Sequence, residues 1–283
     1  MCIAQPDNSA PTASKFAETG LKHRVPFSLL LLVLAVALGS SCRNRAAEQA
    51  EGAGSGPEKT TSERVSEADT FYAQRKDLAN VRRGIIALRQ ARTHDSGNYE
   101  VAWKLARLDY FLGSHSKDDA ERDAAFRDGI DAGKSAVLLQ GEKAEGHFWL
   151  GANYGGIAEM SVLASLSSFQ DIRTEMEKVI ELDESYAAGS AYLGLGQLYL
   201  KAPKVLGGDS EKGVKYLEKG LQFGKGNALL HLRLAEGYHA LGRDQEAQKE
   251  IDYILKMTPD ADYVPEYEDA VAGAKVLQKR VQL

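Results

Sequence analysis

The residues past position 42 best suited to hold a metal are five histidines, His94, His115, His147, His231 and His239. None falls in the His-x3-His or His-Glu-x2-His spacing that puts two ligands or a ligand and a base on one helix face. Serine chemistry lacks a Gly-x-Ser-x-Gly elbow. Gly207-Gly208-Asp209-Ser210 is not followed by the Lys-Ser or Lys-Thr that a phosphate loop requires. Acidic pairs such as Glu175 with Glu177 and Asp118 with Asp119 stand among lysines and arginines and read as solvated helix faces. The two thiols, Cys2 and Cys42, both lie within the first 42 residues, which excludes a cysteine nucleophile, a Cys-ligated zinc or a disulfide in the rest of the chain. No catalytic residue, metal ligand or cofactor site emerges, and the chain reads as non-enzymatic. With 35 Lys and Arg against 40 Asp and Glu, the net charge of -5 offers nucleic acid no attractive field.

The useful cysteine is Cys42. Lys15, Lys22, His23 and Arg24 precede an apolar run from Val25 to Leu38, which ends in Gly39-Ser40-Ser41. A run of about 14 residues is shorter than the ~20 that cross a bilayer as a helix, so residues 1–41 read as a signal peptide. The small residues before the cysteine resemble a bacterial lipobox, in which the cysteine is lipidated and becomes the first residue of the mature protein. The usual aliphatic residue three before the cysteine is Gly39 here, with Leu38 one place earlier. Lipidated Cys42 would anchor the chain to a membrane. Residues 42–64, rich in Ala, Glu, Gly, Ser and Thr, would form a flexible tether, leaving 65–283 as the folded domain.

The elements of that domain follow from period and punctuation. Residues 58–202 contain no proline, and their Ala, Leu, Glu, Lys and Arg carry apolar residues at three- and four-residue spacing, which predicts an all-α fold. Near the C-terminus, His231, Leu234, Ala235, Tyr238, Ala247, Ile251, Ile254 and Pro259 fit the tetratricopeptide (TPR) pattern, with His in the Trp place. His147 takes the same place upstream, and both histidines read as packing residues. The rhythm of second helices recurs at Gly84, Leu88, Ala91; Gly129, Gly133, Ala136; Ile172, Met176, Val179; and Gly213, Leu217, Gly220. The expected architecture is a TPR-like right-handed α-solenoid of about four irregular helix pairs. An extra N-terminal helix would span Glu67 to Thr93, and a capping helix Glu266 to Val281.

The steps from the Tyr position to the first small residue are 19, 18 and 14 (129-110, 172-154, 213-199) against nine in the last copy (247-238). Insertions in solenoids commonly carry function. The third, containing Pro203, Gly207, Gly208 and Asp209, reads as an ordered partner or pore loop, since Pro203 breaks a helix and Asp209 or Ser210 can cap the next. The concave face of first helices is small and apolar, and offers Phe148, Trp149, Asn153, Tyr192, Leu195 and Tyr199 as groove residues for a ligand or partner. The same residues read equally as helix-packing core, and Asn153 as a solvated amide.

Together, the lipoprotein-like leader, the irregular repeats, the helix Gly146-His147-Phe148-Trp149-Leu150-Gly151-Ala152-Asn153-Tyr154-Gly155, Leu182-Asp183, and the Pro203-x3-Gly207-Gly208-Asp209 loop resemble the T component of TPR-associated TRAP transporters. The resemblance covers roughly residues 66–280. It implies a periplasmic lipoprotein that forms a homotrimer with a central pore, binds the solute-receptor component of the transporter, and helps present hydrophobic or organic-acid ligands to the permease. The alternative is a generic cell-envelope TPR scaffold that grips protein partners without a small ligand. Several aligned Lys, Arg and Asn residues would favour such a peptide groove, and the inner face shows only Asn153 and Glu236.

Overall fold

The computed structural model describes residues 58–259 and 263–282, with the backbone alone of 162–166. The leader, Cys42 and most of the tether lie outside the described residues. Among the described residues there are eleven α-helices: α1 (Thr61–Ala73), α2 (Leu78–His94), α3 (Tyr99–His115), α4 (Asp119–Leu139), α5 (Ala144–Met160), α6 (Val162–Leu182), α7 (Tyr186–Lys201), α8 (Ser210–Gly220), α9 (Ala228–Ala240), α10 (Asp244–Lys256) and α11 (Val264–Val281). Each helix packs on its sequence neighbours. The odd-numbered helices also stack on one another, forming an inner layer backed by the even-numbered ones. This is the α-solenoid that the repeat pattern predicts.

The helix predicted from Glu67 to Thr93 is instead two, α1 and α2, so the array has five pairs and a final helix. The break has no Pro or Gly to announce it. Asp77 makes it, accepting a hydrogen bond from Ala79 N at 2.9 Å and so capping α2. Helix α1 begins at Thr61, within the stretch expected to be tether, because Thr60 and Glu63 form a reciprocal capping box. Asn98, Asp118, Asp209 and Asn227 cap α3, α4, α8 and α9 in the same manner as Asp77.

The first two insertions are not loops. They lengthen α3 to α6 to 17–21 residues, against 13 in α9 and α10. At ~1.5 Å per residue the inner wall is thereby about one turn deeper on the N-terminal side. Glycines let these long helices approach. A Cβ on Gly129 would stand 2.2 Å from Asn153 Oδ1, and one on Gly156 would stand 2.1 Å from the Phe126 ring.

His147 and His231 fill the Trp place of their repeats, each largely buried, and also act as polar clamps. His147 Nδ1 lies 2.6 Å from Glu175 Oε2 and its Nε2 lies 2.9 Å from the Gly141 carbonyl. His231 repeats the arrangement with Glu250 at 2.5 Å and the Lys225 carbonyl at 2.9 Å. Glu175 therefore belongs to an interhelical contact and not, as its neighbours in sequence suggested, to a solvated face. Each clamp ties a first helix to its second helix and to the turn before it.

One buried acid is left without such a partner. Asp109 on α3 is fully buried and neither carboxylate oxygen has a hydrogen bond; Arg89 Nη2 stands 3.9 Å away but sits 2.7 Å from Asp128 instead. Burial pushes the Asp109 carboxyl up to about 8. Between pH ~4 and ~8 the native state then holds a proton that the unfolded chain has lost, so stability falls as pH rises, by roughly 1 kcal/mol per unit. The hydrogen bond from Arg82 holds Glu121 down at about 2, and its contribution is complete by pH ~5. Denaturant midpoints at pH 5 and pH 8 are predicted to show this decline in the wild type and a flatter profile in Asp109→Asn. An unchanged slope in the variant would refute the assignment.

Candidate functional site

The inner layer lines a partly open cavity of about 1330 Å³. Its wall comes from every inner helix: Tyr72 from α1, Arg107 from α3, Phe148 from α5, Leu198 from α7, Leu229 from α9 and Tyr267 from α11. On α5 the wall positions Phe148, Ala152 and Gly155 follow the three- and four-residue step of one helix face. At about 1330 Å³ the cavity is larger than the ~300–1,000 Å³ of common small-molecule sites, and its lining is mainly apolar.

Of the groove residues named from the sequence, the structure brings Phe148 and Trp149 to the cavity, where their rings meet edge to face at 4.9 Å. The other four lie behind it. Leu195 is fully buried. Tyr192 stacks on Phe223 at 5.7 Å and donates to Glu184 Oε2 at 2.8 Å. Tyr199 stacks on Tyr216 at 5.6 Å and accepts from Lys212 Nζ at 2.7 Å. Asn153 is not solvated: it is fully buried at a junction of three helices, donating from Nδ2 to Ala106 O of α3 at 3.0 Å and to Trp149 O at 2.7 Å while lying against Gly129 of α4. Its partner on α3 is 47 residues away in sequence, so nothing local announced the contact.

In the loop after α7, Pro203 and Leu206 reach the cavity, whereas Gly207, Gly208 and Asp209 shape the turn. Gly207 has φ +97°, and a Cβ on Gly208 would fall 1.7 Å from the Ala202 carbonyl oxygen. Asp209 Oδ1 accepts from Lys212 N at 3.0 Å. The large hydrophobic side chain this loop exposes is Val205, 92% exposed.

Several wall residues, among them Tyr72, Arg107, Tyr186 and Ala187, had no sequence signal as site residues. Ala187 and Ala188 adopt left-handed backbone at φ 47° and 54°, an arrangement that costs an alanine ~1–2 kcal/mol. Asn227 Nδ2 reaches the Ala188 carbonyl at 3.3 Å and helps hold the turn. Tyr72, Tyr110 and Tyr186 line the cavity with hydroxyls that burial pushes above their ordinary range, so they stay neutral hydrogen-bonding groups. Arg107 lies flat on Tyr72 at 3.8 Å and faces Trp103 at 5.0 Å. Among the described residues no group of His, Cys, Asp and Glu is placed to hold a metal ion.

Comparison with known proteins agrees with this architecture. The TRAP transporter T-component family matches residues 112–275. Among solved structures, the chain is similar to TTC0263, a thermophilic TPR protein of Thermus thermophilus, at 18% identity and a TM-score of 0.54 over 74% of this chain and 99% of that one. It also aligns with pilF of Pseudomonas aeruginosa at 15% identity and a TM-score of 0.48, over 77% and 93% of the two chains. No curated protein matches the sequence.

The wall of the cavity runs on from the first inner helix to the last because the two ends of the array meet. Arg75, after α1, bonds Glu266 of α11 in fork geometry, with Nη2 to Oε2 at 2.8 Å and Nε to Oε1 at 3.2 Å. The guanidinium is 5% exposed and rests on Tyr72 at 4.6 Å. Lys76 with Glu268 at 2.7 Å and His115 with Asp269 at 3.2 Å join the same ends. Removing one partner of a largely buried pair strands the other charge, so Arg75→Met is expected to cost about 3 kcal/mol. It should also raise deuterium uptake across residues 264–281 before the rest of the domain. Uniform uptake across all helices would contradict the role of this pair as the closure.

Proposed function

The chain belongs to the TRAP transporter T-component family, and from that premise we propose that it is a non-catalytic accessory whose cavity holds an apolar or organic-acid small molecule for a transporter. The observation that carries this reading is the cavity itself, a large apolar space walled by all six inner helices. Peptide grooves can also be apolar or aromatic-lined, so what sets this cavity apart from a peptide-gripping scaffold is the joining of the ends of the array. Here the ends of the array are joined and the wall is mainly alanine, glycine, leucine and aromatic.

The partner is a periplasmic solute-binding protein of the TRAP transporter, and the Pro203–Asp209 loop is its docking point. The loop supports this because backbone hydrogen bonds from Leu206 and Gly208 to the Pro203 carbonyl close its turn, it touches the cavity through Pro203 and Leu206, and it projects Val205 into solvent. Since Gly207 and Gly208 are demanded by the turn, Val205 is the position that separates docking from folding. The homotrimer implied by family resemblance belongs to the same reading.

A transporter component acts at the membrane, and no helix among the described residues is long and apolar enough to cross one. Attachment from outside the folded body fits the leader: residues 1–41 as a signal peptide, lipidated Cys42 as the anchor, a tether from residue 42 to about residue 64, and a periplasmic location for the body. Crosslinking of the intact protein in cells, read by mass spectrometry, is expected to capture a periplasmic solute receptor, and Val205→Glu to reduce that capture without lowering thermal stability. Recovery of envelope-assembly proteins alone would favour the scaffold instead. Cys42→Ser is expected to release the protein into the soluble periplasmic fraction, and its retention in the membrane would overturn the anchor.

A further inference from the structure

We infer that the outer face of α2 rests on an anionic phospholipid surface, with Ile86 entering the headgroup layer and the arginines Arg83 and Arg92 meeting lipid phosphates. The cavity plays no part in this inference. It uses the membrane-anchor reading for the point at which the chain leaves the folded body, and adds the face that meets the bilayer and the lipid chemistry that holds it.

Helix α2 carries Arg82, Arg83, Arg89 and Arg92 and no Asp or Glu, whereas the other outer helices, α4, α6, α8 and α10, each carry carboxylates among their cations. Ala79, Arg82, Arg83, Ile86, Arg89, Gln90 and Thr93 follow one another at three- and four-residue steps and are all exposed, so they form one outward face. In the middle of it Ile86 is 56% exposed. Beside it runs a shallow groove between α1 and α2, apolar at Phe71 and Ile86 and flanked by Lys59, Arg64 and Arg83. An apolar centre ringed by arginines suits a helix lying in a membrane interface, where guanidinium groups reach phosphates while the apolar side chain enters the acyl boundary.

The acids around this helix match only part of its charge. Glu121 of α4 accepts from Arg82 at 2.7 Å and Asp128 from Arg89 at 2.7 Å. Glu67 of α1 takes Lys59 at 2.8 Å, and Glu58 takes His94 at 2.9 Å while standing 4.0 Å from Arg64. Asp109, 3.9 Å from Arg89, is kept protonated by burial and offers no charge. Arg83 reaches only Asn80 Oδ1, at 3.5 Å, and among the described residues neither Arg83 nor Arg92 forms an ion pair. Because the chain as a whole stands at -5, an anionic surface disfavours most of the body and admits this face. The chain also leaves the body here: Glu58 meets His94 at the end of α2, and Lys59 lines the groove. Lys59 lies 17 positions after Cys42. An anchored Cys42 therefore holds the groove within about 60 Å of the bilayer. That confinement raises the local concentration of lipid, so even a weak contact is populated.

The test keeps the protein on the membrane in every arm, so that it reads the face and not retention. The intact chain is reconstituted in vesicles of equimolar phosphatidylcholine and phosphatidylglycerol, with one or the other lipid carrying a photoreactive group at the glycerol end of an acyl chain, and labelled peptides are located by mass spectrometry. The comparison is the same whether Cys42 or an uncleaved leader retains the chain. Residues 78–94 are expected to carry the strongest label, about tenfold more from the phosphatidylglycerol probe than from the phosphatidylcholine probe, an excess that high salt removes. Arg83→Glu combined with Arg92→Glu should abolish the excess, at about fivefold for each arginine lost. Ile86→Glu should lower labelling from both probes several-fold, and it supplies the answer if the double variant does not fold. Lys215→Glu combined with Lys249→Glu, exposed positions on α8 and α10, should leave the label within twofold. Label spread evenly over the outer helices, or an excess at 78–94 that survives both sets of α2 substitutions, would overturn the inference and leave the anchor untouched. Loss of the crosslinked solute receptor in the double variant, with no lipid excess in the parent, would overturn it as well and give the face to an acidic protein. A chain that the vesicles do not retain and that is unlabelled at 78–94 would remove the anchor reading together with this inference.

Discussion

In a helical array each unit touches only its neighbours, so its two ends are ordinarily far apart and its concave face is open. Here Arg75 and Glu266, 191 residues apart in sequence, hold the ends together. The pair is strong for local reasons. The planar guanidinium meets the carboxylate through two of its nitrogens, and its face is packed on Tyr72. Everything said of the cavity depends on this closure, since the inner face is made of residues that tolerate water poorly. An apolar wall exposed along an open groove would be an aggregation liability, which joining the ends of the array reduces.

Closure at the ends requires the middle to be set accurately, and there the decisive contacts are the absence of side chains and one amide. Gly129, Gly133 and Gly156 remove the Cβ atoms that would hold α4 away from α5. Asn153 then fastens α5 to a backbone carbonyl of α3 in the space that Gly129 leaves. An amide in this position resists slippage as leucine would not, because moving it by a turn would leave a buried donor unpaired. The His147 and His231 clamps do the same between first and second helices. Polar groups at these few points fix the register of an otherwise apolar stack.

Much of this was legible in the sequence. The second-helix rhythm located the repeats, the late prolines located the C-terminal helix, and Asp209 caps α8 as its place in the loop suggested. The first helix of the array was missed because its boundary with the second is made by Asp77 alone, without Gly or Pro. The first two insertions pointed to functional additions, whereas they are extra helical turns, which a count of residues between consensus positions does not distinguish from a loop. Asn153 was misjudged for a different reason: its hydrogen-bond partner is contributed by another helix, and polarity by itself argues for solvent. The strained Ala187 and Ala188 carry no signal either, since an alanine gives no hint of left-handed backbone.

The site residues show where sequence reasoning stops. On an ordinary surface helix an apolar stripe faces the core and a polar stripe faces water, so pattern alone assigns each position. Helix α5 has no such contrast, because Phe148, Ala152 and Gly155 face the cavity while Leu150 and Asn153 face the helices behind it, and both faces are apolar or small. The same is true of α7, where Leu198 is wall and Leu195 is core. A rotation of about 100° per residue separates such roles, and composition does not encode it. What separates them is tertiary: whether a position looks outward to a paired helix or inward to the space that Arg75 and Glu266 close. A helix apolar on both faces, within an array whose ends are joined, is therefore the form that an internal cavity takes here, and its residues become assignable once the closure is known.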